Sequence, residues 1–195
     1  MYIDILLRWN ARINLTAVRD TQQIVTRHFG ESLFAARHLL PLSAKRLADV
    51  GSGAGFPGLP IKIWQPEVRL TLIESNHKKA TFLREVARVL TFMDIDVYCG
   101  RAEDFPAGSP DIVTLRAVER FDSALPYAAR LVAPGGRLGL LLGEAQASRV
   151  AAVCPEFSWQ EPIPIPLSTS RVILIGGRGG TIEVTSGINT SLSRA

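Results

Sequence analysis

Residues 49–58 read DVGSGAGFPG, a stretch that holds four glycines and begins with an aspartate. Glycine inside a regular element costs roughly 0.5–1 kcal/mol relative to alanine, so a cluster of glycines needs a reason. The apolar run LADV enters this stretch and LPIKIW leaves it, which predicts a strand, a tight loop and a helix. Loops of this kind present backbone N–H groups to nucleotide-like ligands. The chain therefore has a candidate ligand-binding loop after its first strand.

Strands and helices alternate on the carboxyl side of the loop. We predict strands over 69–74, 94–100, 111–117 and 136–143, and helices over 77–90 and 121–132. This order is typical of an α/β protein with a mostly parallel, twisted sheet. Two later β-rich runs, FSWQEPIPIPL and SRVILIGG, are close enough in sequence to form an antiparallel hairpin. Before the loop, residues 2–13 and 20–39 show helical spacing of apolar residues.

Length and composition indicate a single globular domain. The chain has 195 residues, of which 47% are hydrophobic. We expect a domain over 1–180, made of an N-terminal helical segment (1–45) and a core (46–180), with a mobile tail at 181–195. Two distant cysteines without CxxC spacing predict neither a disulfide framework nor a metal site, and favour a reducing compartment. We expect no signal peptide, no membrane span and a monomer.

The positive charge is concentrated near the N-terminus. Residues 1–48 contain seven arginines and lysines against three acidic residues, and the whole chain carries a net charge of +4. Such an excess in one segment is typical of a surface that binds a polyanion, although a solvated helical face would look the same. The candidates for RNA contact are Arg8, Arg12, Arg27 and His28.

Acidic residues lie at the ends of successive predicted strands. Asp49 ends the first strand, where a carboxylate can meet a cationic group of a cofactor or order a water. Glu74 ends the second, where it suits both hydroxyls of a ribose. In GRAEDF, after the third strand, Ala102 and Glu103 are placed to contact an adenine. Carboxyl ends of parallel strands meet at one edge, so these side chains are expected around one cleft.

Two cofactors are compatible with the glycine loop. Gly53, Gly55 and Gly58 fit the pattern GxGxxG, which NAD-binding proteins also use, and on its own this pattern is weak evidence. Asp49 before Gly51 and the GRAEDF turn favour S-adenosylmethionine, whereas Glu74 would suit either cofactor. The terminal hairpin also differs from the dinucleotide-binding fold, whose sheet stays parallel to its end. An NAD-dependent dehydrogenase would also need an acid or base for hydride transfer, and the sequence offers no clear candidate.

Several motifs together carry a resemblance to a known family. These are WNARINLT (9–16), RHFGESL (27–33), ADVGSGAGFPGLP (48–60), LIESNHKKATFLREV (72–86), GRAED (100–104) and VTLRA (113–117). In these motifs the chain resembles the bacterial 16S ribosomal RNA guanine-N7 methyltransferases, also called the glucose-inhibited division protein B family. The resemblance covers about residues 5–145.

The resemblance implies a cytoplasmic enzyme with a Rossmann-like methyltransferase fold. It would transfer a methyl group from S-adenosylmethionine to N7 of a guanine in 16S ribosomal RNA or the small ribosomal subunit. The residues expected to bind the cofactor or line the active site are Asp49, Gly51, Gly53, Phe56, Glu74, Ala102, Glu103 and Arg116. Arg116, at the end of the fourth strand, would orient the substrate, although an ion pair with Glu119 or Asp111 is an alternative role.

The chain departs from the family pattern at several points. It begins almost at the WN motif, and Glu31 stands where the family usually has aspartate. Leu142 stands where the family commonly has a lysine before Gly143, which puts affinity for RNA or choice of target in question. A small-molecule methyltransferase, or a cofactor-binding module without RNA activity, therefore remains an alternative.

The expected chemistry needs few protein groups. The sulfonium methyl is already activated, and guanine N7 carries a free lone pair, so positioning is the main task and no general base is required. The fourth strand ends in LRA, without the N/D-P-P-aromatic motif that amine methyltransferases share. Neither Cys99 nor Cys154 lies where a 5-methylcytosine enzyme needs its nucleophile. These features favour N7 as the acceptor atom.

Overall fold

The computed structural model describes residues 1–41, 44–116 and 121–179. The predicted mobile tail over 181–195 lies outside the described residues, as does Glu119. The helices are α1 (Tyr2–Ile13), α2 (Thr21–Gln23), α3 (Glu31–Leu39), α4 (Gly58–Trp64), α5 (His77–Val89), α6 (Phe121–Leu131) and α7 (Glu144–Val153), with a π-helical segment (Ile24–Gly30) between α2 and α3 and a 3₁₀ turn at Ala102–Asp104. The strands are β1 (Arg46–Val50), β2 (Arg69–Ile73), β3 (Ile95–Tyr98), β4 (Ile112–Arg116), β5 (Arg137–Gly143), β6 (Phe157–Trp159), β7 (Ile163–Pro164) and β8 (Arg171–Arg178).

One sheet organises the fold, in the order β3-β2-β1-β4-β5-β8-β6, with β7 also pairing with β8. The first five strands are mutually parallel. Strand β8 is antiparallel to β5, and both β6 and β7 are antiparallel to β8. The predicted α/β fold, a mostly parallel sheet that ends in antiparallel strands and carries N-terminal helices, is confirmed.

Helices cover both faces of the sheet. One core cluster joins alternate residues of the central strands, such as Ala48 and Val113, to α6 and α7. The opposite residues, such as Leu47 and Ile112, pack with α1, α4 and α5. Strands that are buried on both faces explain the near-continuous apolar runs in the sequence. The alternation decides which face each functional side chain occupies, because successive side chains of a strand point to opposite faces.

The structure differs from the sequence expectations in two helices. Residues 21–39 are helical as predicted, but the middle part, Ile24–Gly30, is π-helical. Such widened turns are rare and occur often at functional sites. Helix α7 was not predicted, because EAQASRVAAV is small and weakly patterned; Ala147 and Val150 are its buried residues. Whether residues 1–45 and 46–180 behave as one domain stays a prediction.

Candidate functional site

The glycine loop follows β1 and crosses the end of β2. The backbone N–H groups of Gly51 and Ser52 both donate to the carbonyl of Ile73, at 2.9 and 3.1 Å. Gly53 has a φ of 54° and Gly55 a φ of 88°, a left-handed region that residues with a Cβ rarely adopt. A Cβ at Gly55 would also lie 2.6 Å from the Tyr2 hydroxyl. The bare backbone is therefore required by conformation and by close packing.

Asp49 supports this loop through the hydrogen bonds of its buried carboxylate. Its carboxylate is 1% exposed, accepts a hydrogen bond from the Thr114 hydroxyl at 2.7 Å, and accepts the N–H of Gly58 at 3.3 Å. Burial raises the pKa of Asp49 to about 6, although these hydrogen bonds act in the opposite direction. Both carboxylate oxygens are thus occupied by protein groups. Direct contact of Asp49 with a cofactor stays a prediction. In the structure, the Asp49 carboxylate supports the glycine loop through Thr114 and Gly58.

Glu74 lies at the end of β2, immediately beside the loop. Its Oε2 accepts the N–H of Gly53 at 2.9 Å, and its Oε1 accepts the N–H of Asn76 at 2.8 Å. The side chain is 7% exposed and lines the largest cleft of the site. Each carboxylate oxygen can accept a second hydrogen bond, so the group remains able to bind two hydroxyls.

Two clefts open at the carboxyl ends of the parallel strands. The wide cleft, of about 1100 Å³, is lined by Asn14, Leu15, Thr16, Ala17, Arg19, His28, Gly51, Ser52, Gly53, Ala54, Phe56, Glu74, Ser75, Asn76, Lys79 and Arg116. The side cleft, of about 470 Å³, is lined by Val50, Gly51, Ile73, Ser75, Gly100, Arg101, Ala102, Glu103, Ser123, Ala124 and Tyr127. The two clefts share Gly51 and Ser75. Apart from Asp49, every residue predicted to bind the cofactor lines one of them.

The 3₁₀ turn that carries Ala102 and Glu103 is held by helix α6. The guanidinium of Arg130 donates to the backbone carbonyl of Glu103 at 2.5 Å and also reaches the carbonyls of Ala102 and Phe105. Among the described residues, the Glu103 carboxylate forms one exposed ion pair, with Arg101 at 3.2 Å. It is therefore free to exchange this partner for a ligand in the side cleft at little cost.

Aromatic rings pack the glycine loop against the N-terminal helices. Phe56 is 7% exposed and stacks on Tyr2, with ring centroids 5.5 Å apart, and on His28, with centroids 4.8 Å apart. Phe29 meets the same ring edge-on at 5.3 Å. The Arg116 guanidinium lies 5.9 Å from the Phe56 centroid. Phe56 thus connects the N-terminal helices to the cleft, which makes these helices part of the site.

Arg116 lies at the end of β4, has a side chain that is 9% exposed, and bonds to the N-terminal helices. Its Nη2 donates to the carbonyl of Arg27 at 2.9 Å and to Glu31 Oε2 at 3.1 Å, and lies 3.2 Å from His28 Nδ1. Glu31 is the ion-pair partner, whereas Asp111 pairs with Arg46 at 3.0 Å. The alternative prediction of an ion pair between Arg116 and Asp111 is therefore wrong.

His28 is neutral at physiological pH. Burial, together with the cations of Arg116, Arg27 and Arg171, lowers its pKa to about 4. Its Nε2 lies 2.8 Å from the Thr16 hydroxyl. The ring is thereby held between Thr16, Phe56 and Arg116, and it can accept or donate one hydrogen bond without carrying charge.

A third, narrow cleft of about 280 Å³ adjoins the wide one. Its lining is Thr16, Ala17, Val18, Arg27, His28, Glu31, Arg116, Phe121, Leu141, Leu142, Gly143, Gln146, Ile165 and Arg171. It shares Thr16, Ala17, His28 and Arg116 with the wide cleft. Leu142 is 5% exposed and forms part of its apolar wall.

The four residues expected to contact RNA separate into two groups. Arg27 and His28 line the narrow cleft, whereas Arg8 and Arg12 lie exposed on α1 and line none of the three clefts. Contact of any of them with RNA stays a prediction. Arg19 and Lys79, which sequence reasoning did not select, line the wide cleft. The only sequence signal for Lys79 was its position in the SNHKK motif, at the start of a predicted helix.

Sequence reasoning also missed the ionic role of Glu31 and the contribution of Arg171. Glu31 accepts hydrogen bonds from Arg116 and from Arg171, whose Nη1 lies 2.9 Å from Glu31 Oε2. These contacts join residues 85 and 140 positions apart, so no local pattern could have indicated them.

Comparisons with known proteins agree on the class of enzyme. A family model described as rRNA small subunit methyltransferase G, GidB, matches residues 1–163. Ribosomal RNA small subunit methyltransferase G of Halorhodospira halophila is 43% identical over 143 residues, which cover 73% of this chain and 67% of that protein. The protein of the same name from Roseiflexus castenholzii is 38% identical over 182 residues, covering 87% of this chain and 77% of that one.

Solved structures support the fold independently of sequence. A SAM dependent methyltransferase from Aquifex aeolicus superimposes with a TM-score of 0.65 at 12% identity, over 84% of this chain and 96% of that one. At this identity the likeness shows the fold alone. The family match over residues 1–163 includes the glycine loop, the GRAED turn and Arg116. The chain therefore belongs to the GidB family, the family of rRNA small subunit methyltransferase G.

Proposed function

We propose that this protein transfers the methyl group of S-adenosylmethionine to N7 of a guanine in 16S ribosomal RNA. The observation that carries the cofactor assignment is the meeting of the wide and side clefts at Gly51 and Ser75, next to the buried carboxylate of Glu74. An elongated ligand with a ribose between two ends fits two clefts that meet beside an acceptor for hydroxyls. Family membership carries the RNA substrate.

Each end of the cofactor has matching groups. Glu74 would accept the two ribose hydroxyls, and the side cleft would take the adenine against Ala102, with Glu103 near its polar edge. Gly53 and Phe56 would border the methionine portion in the wide cleft. Asp49 would keep the loop in place through Thr114 and Gly58. S-adenosylmethionine supplies a methyl group already activated by the sulfonium.

The protein's task on the substrate side is orientation. Arg116 lines both the wide and the narrow cleft, so its guanidinium lies between the cofactor region and the narrow cleft, which would take the target base. Neutral His28 adds no positive charge beside a base that becomes cationic on N7 methylation. Neither Cys99 nor Cys154 lines any of the three clefts, so a cysteine nucleophile receives no support.

Cellular setting and assembly remain part of the proposal. Among residues 1–41, 44–116 and 121–179, no helix has the length and apolar content to cross a membrane. We expect a cytoplasmic monomer, since ribosomal RNA is modified in that compartment. Sedimentation of the purified protein would test the monomer.

The deciding experiment follows the methyl group. Small subunits and naked 16S RNA from cells that lack this modification are incubated with S-adenosylmethionine labelled in the methyl group, and the digested nucleosides are separated by mass spectrometry. The expected product is 7-methylguanosine at one position. Absence of label from both RNA substrates, with cofactor binding intact, would favour a small-molecule methyltransferase or a cofactor-binding module. Leu142, in place of a lysine, would then be the first residue to replace.

A further inference from the structure

Glu31 joins three separate parts of the fold through one buried carboxylate. It is the first residue of α3, it is 4% exposed, and it contacts Arg116 at the end of β4 and Arg171 at the start of β8. Arg116 Nη2 lies 3.1 Å and Arg171 Nη1 2.9 Å from Glu31 Oε2, while Arg171 Nη2 contacts Oε1. The two arginines thus share a single counter-ion.

The contacts of Arg116 are divided unequally between its two terminal nitrogens. Nη2 makes all the hydrogen-bond contacts of Arg116 described above, with Arg27, His28 and Glu31. Nη1 is buried and has no hydrogen-bond partner among the described residues. Buried donors are nearly always paired, so an unpaired one calls for an explanation. Because Nη1 is enclosed, an acceptor from a ligand in the cleft would supply the missing bond only after the guanidinium turns slightly.

The charges of the cluster favour the present position of Arg116 through the Glu31 carboxylate. Three guanidinium groups, of Arg27, Arg116 and Arg171, act on Glu31 and on His28. Burial raises the pKa of Glu31, and these cations oppose that effect. Without the carboxylate, the largely buried guanidinium of Arg116 and the partly exposed one of Arg171 would lose their shared counter-ion, and removing one partner of a buried pair is strongly unfavourable. The Arg116 side chain would then leave its present position.

We propose that Glu31 is a positioning residue that holds Arg116 at the junction of the wide and narrow clefts, where its guanidinium donates to O6 of the target guanine. This inference rests on the proposed function. The Hoogsteen edge of guanine offers O6 and N7 as acceptors. A donor fixed on O6 leaves the N7 lone pair available for the methyl group, whereas a guanidinium free to bridge both atoms would block it.

A double-mutant cycle tests this role. Glu31→Gln keeps the size of the side chain and removes its charge, Glu31→Asp keeps the charge, and Arg116→Ala removes the group through which Glu31 would act. Asp94→Asn serves as the matched control, because Asp94 forms an exposed ion pair with Arg69 at 3.8 Å, at the opposite edge of the sheet. Four quantities are measured for each variant: the turnover, the KM for RNA, the affinity for S-adenosylmethionine and the melting temperature.

The expected result is a loss of turnover without a loss of cofactor binding. Glu31→Gln should lower kcat roughly 10- to 100-fold, the order of magnitude that a displaced positioning group can cost. Glu31→Asp should recover part of this loss. In the Arg116→Ala background, Glu31→Gln should have little further effect, because the two residues act as one unit. The inference would be overturned if Glu31→Gln lowered kcat by the same factor with and without Arg116→Ala, or if Glu31→Gln kept wild-type turnover.

A second measurement separates this inference from the proposed function. Proton–nitrogen NMR spectra of the arginine side chains report whether the Arg116 guanidinium is held or rotates freely. Its signals should broaden or average in Glu31→Gln and stay as in the wild type in Asp94→Asn. Unchanged Arg116 signals in Glu31→Gln would reject the positioning role even if the wild type methylates RNA. Altered signals in Glu31→Gln, with a wild type that does not methylate RNA, would reject only the proposed function.

Discussion

Glu74 Oε2 accepts the backbone N–H of Gly53 at 2.9 Å, so the acid expected to bind a ribose also fixes the glycine loop. The same carboxylate accepts the N–H of Asn76, the residue whose side chain caps α5 through the backbone N–H groups of Lys78 and Lys79. One buried side chain therefore connects the end of β2 with the loop after β1 and with the start of α5. The group expected to bind the cofactor therefore also maintains the local order of the loop.

Replacement of Glu74 should accordingly weaken cofactor binding. Hydrogen bonds to charged groups contribute roughly 1.5–3 kcal/mol, so Glu74→Ala should reduce S-adenosylmethionine affinity about ten- to hundredfold. Calorimetric titration measures this, and circular dichroism checks that the variant is folded. Glu67→Ala, at an exposed site outside the wide and side clefts, is the control. Unchanged affinity in folded Glu74→Ala would remove Glu74 from the cofactor site.

Sequence patterns were sufficient for the parallel strands and for the edge of the sheet at which the clefts open. The apolar run LADV is buried over Leu47–Val50 because β1 is central in the sheet, and such strands leave a clear signal. Asp49, Glu74 and Ala102 could be selected because each stands at or just beyond the carboxyl end of a strand. These are local features, each visible within about ten residues.

Other parts of the site depend on contacts between distant residues. Glu31 could not be assigned to Arg116 and Arg171, because helix α3 meets β4 and β8 only in the folded chain. The insertion of β8 between β5 and β6 also follows from packing, since two β-rich runs predict a hairpin but not their order in the sheet. Helix α7 buries only Ala147 and Val150, too few apolar positions for a helical pattern to stand out.

The buried carboxylate of Asp49 should make stability depend on pH. Burial raises its pKa to about 6 in the folded protein, against an ordinary value of 3.8, so the folded state binds a proton that the unfolded state has lost. Stability should therefore fall as pH rises from about 4 to 6, by an amount on the order of 3 kcal/mol. Asp49→Asn removes this titration and can still bond to Thr114 and Gly58. Urea unfolding at about pH 4.5 and about pH 7.5 should show that the free energy of unfolding of Asp49→Asn, relative to that of the wild type, is higher at the higher pH.

Asp111 provides a control, because its effect on stability should change with pH in the opposite direction to that of Asp49. Hydrogen bonds from Arg46 and from the backbone N–H of Lys45 hold the pKa of Asp111 below its usual value, although partial burial acts in the opposite direction. Its stabilising effect is therefore present above the unfolded pKa and is lost as pH falls through the folded one. Asp111→Asn should lose stability at neutral pH and approach the wild type at acid pH. The same trend in both variants would refute the raised pKa of Asp49.

Charge reversal should show which basic residues meet RNA. Arg8→Glu with Arg12→Glu on α1, and separately Lys79→Glu at the wide cleft, should weaken RNA binding and flatten its salt dependence. Removing one phosphate contact lowers the slope of log K against log salt by roughly 0.7–0.9. Arg88→Glu, nine residues from Lys79 near the far end of α5, is the control and should change the slope less. If the Arg8 and Arg12 variant keeps the wild-type slope, the excess charge of α1 is a solvated surface.

Arg116→Ala should lower turnover more than cofactor affinity. The guanidinium lines the narrow cleft as well as the wide one, and its partners are Arg27, His28 and Glu31, so we expect it to act on the substrate rather than on the cofactor. Stopped-flow or filter assays of methyl transfer, with calorimetry for S-adenosylmethionine, separate the two effects. A variant whose affinity for S-adenosylmethionine falls as much as its kcat would place Arg116 on the cofactor instead.

The acceptor atom can be identified by removing it. The wide, side and narrow clefts are lined by no cysteine of the described residues, and β4 ends in Leu115–Arg116 without the motif of amine methyltransferases, so guanine N7 is the expected nucleophile. In RNA, a guanine displaced from its stack can present its Hoogsteen edge to a cleft. Replacing the target guanine by 7-deazaguanine removes the N7 lone pair and keeps O6 and the Watson–Crick edge. RNA carrying this base should still bind, because O6 remains for Arg116, while methyl transfer should stop. Continued methylation of the 7-deaza nucleotide would assign the reaction to another atom.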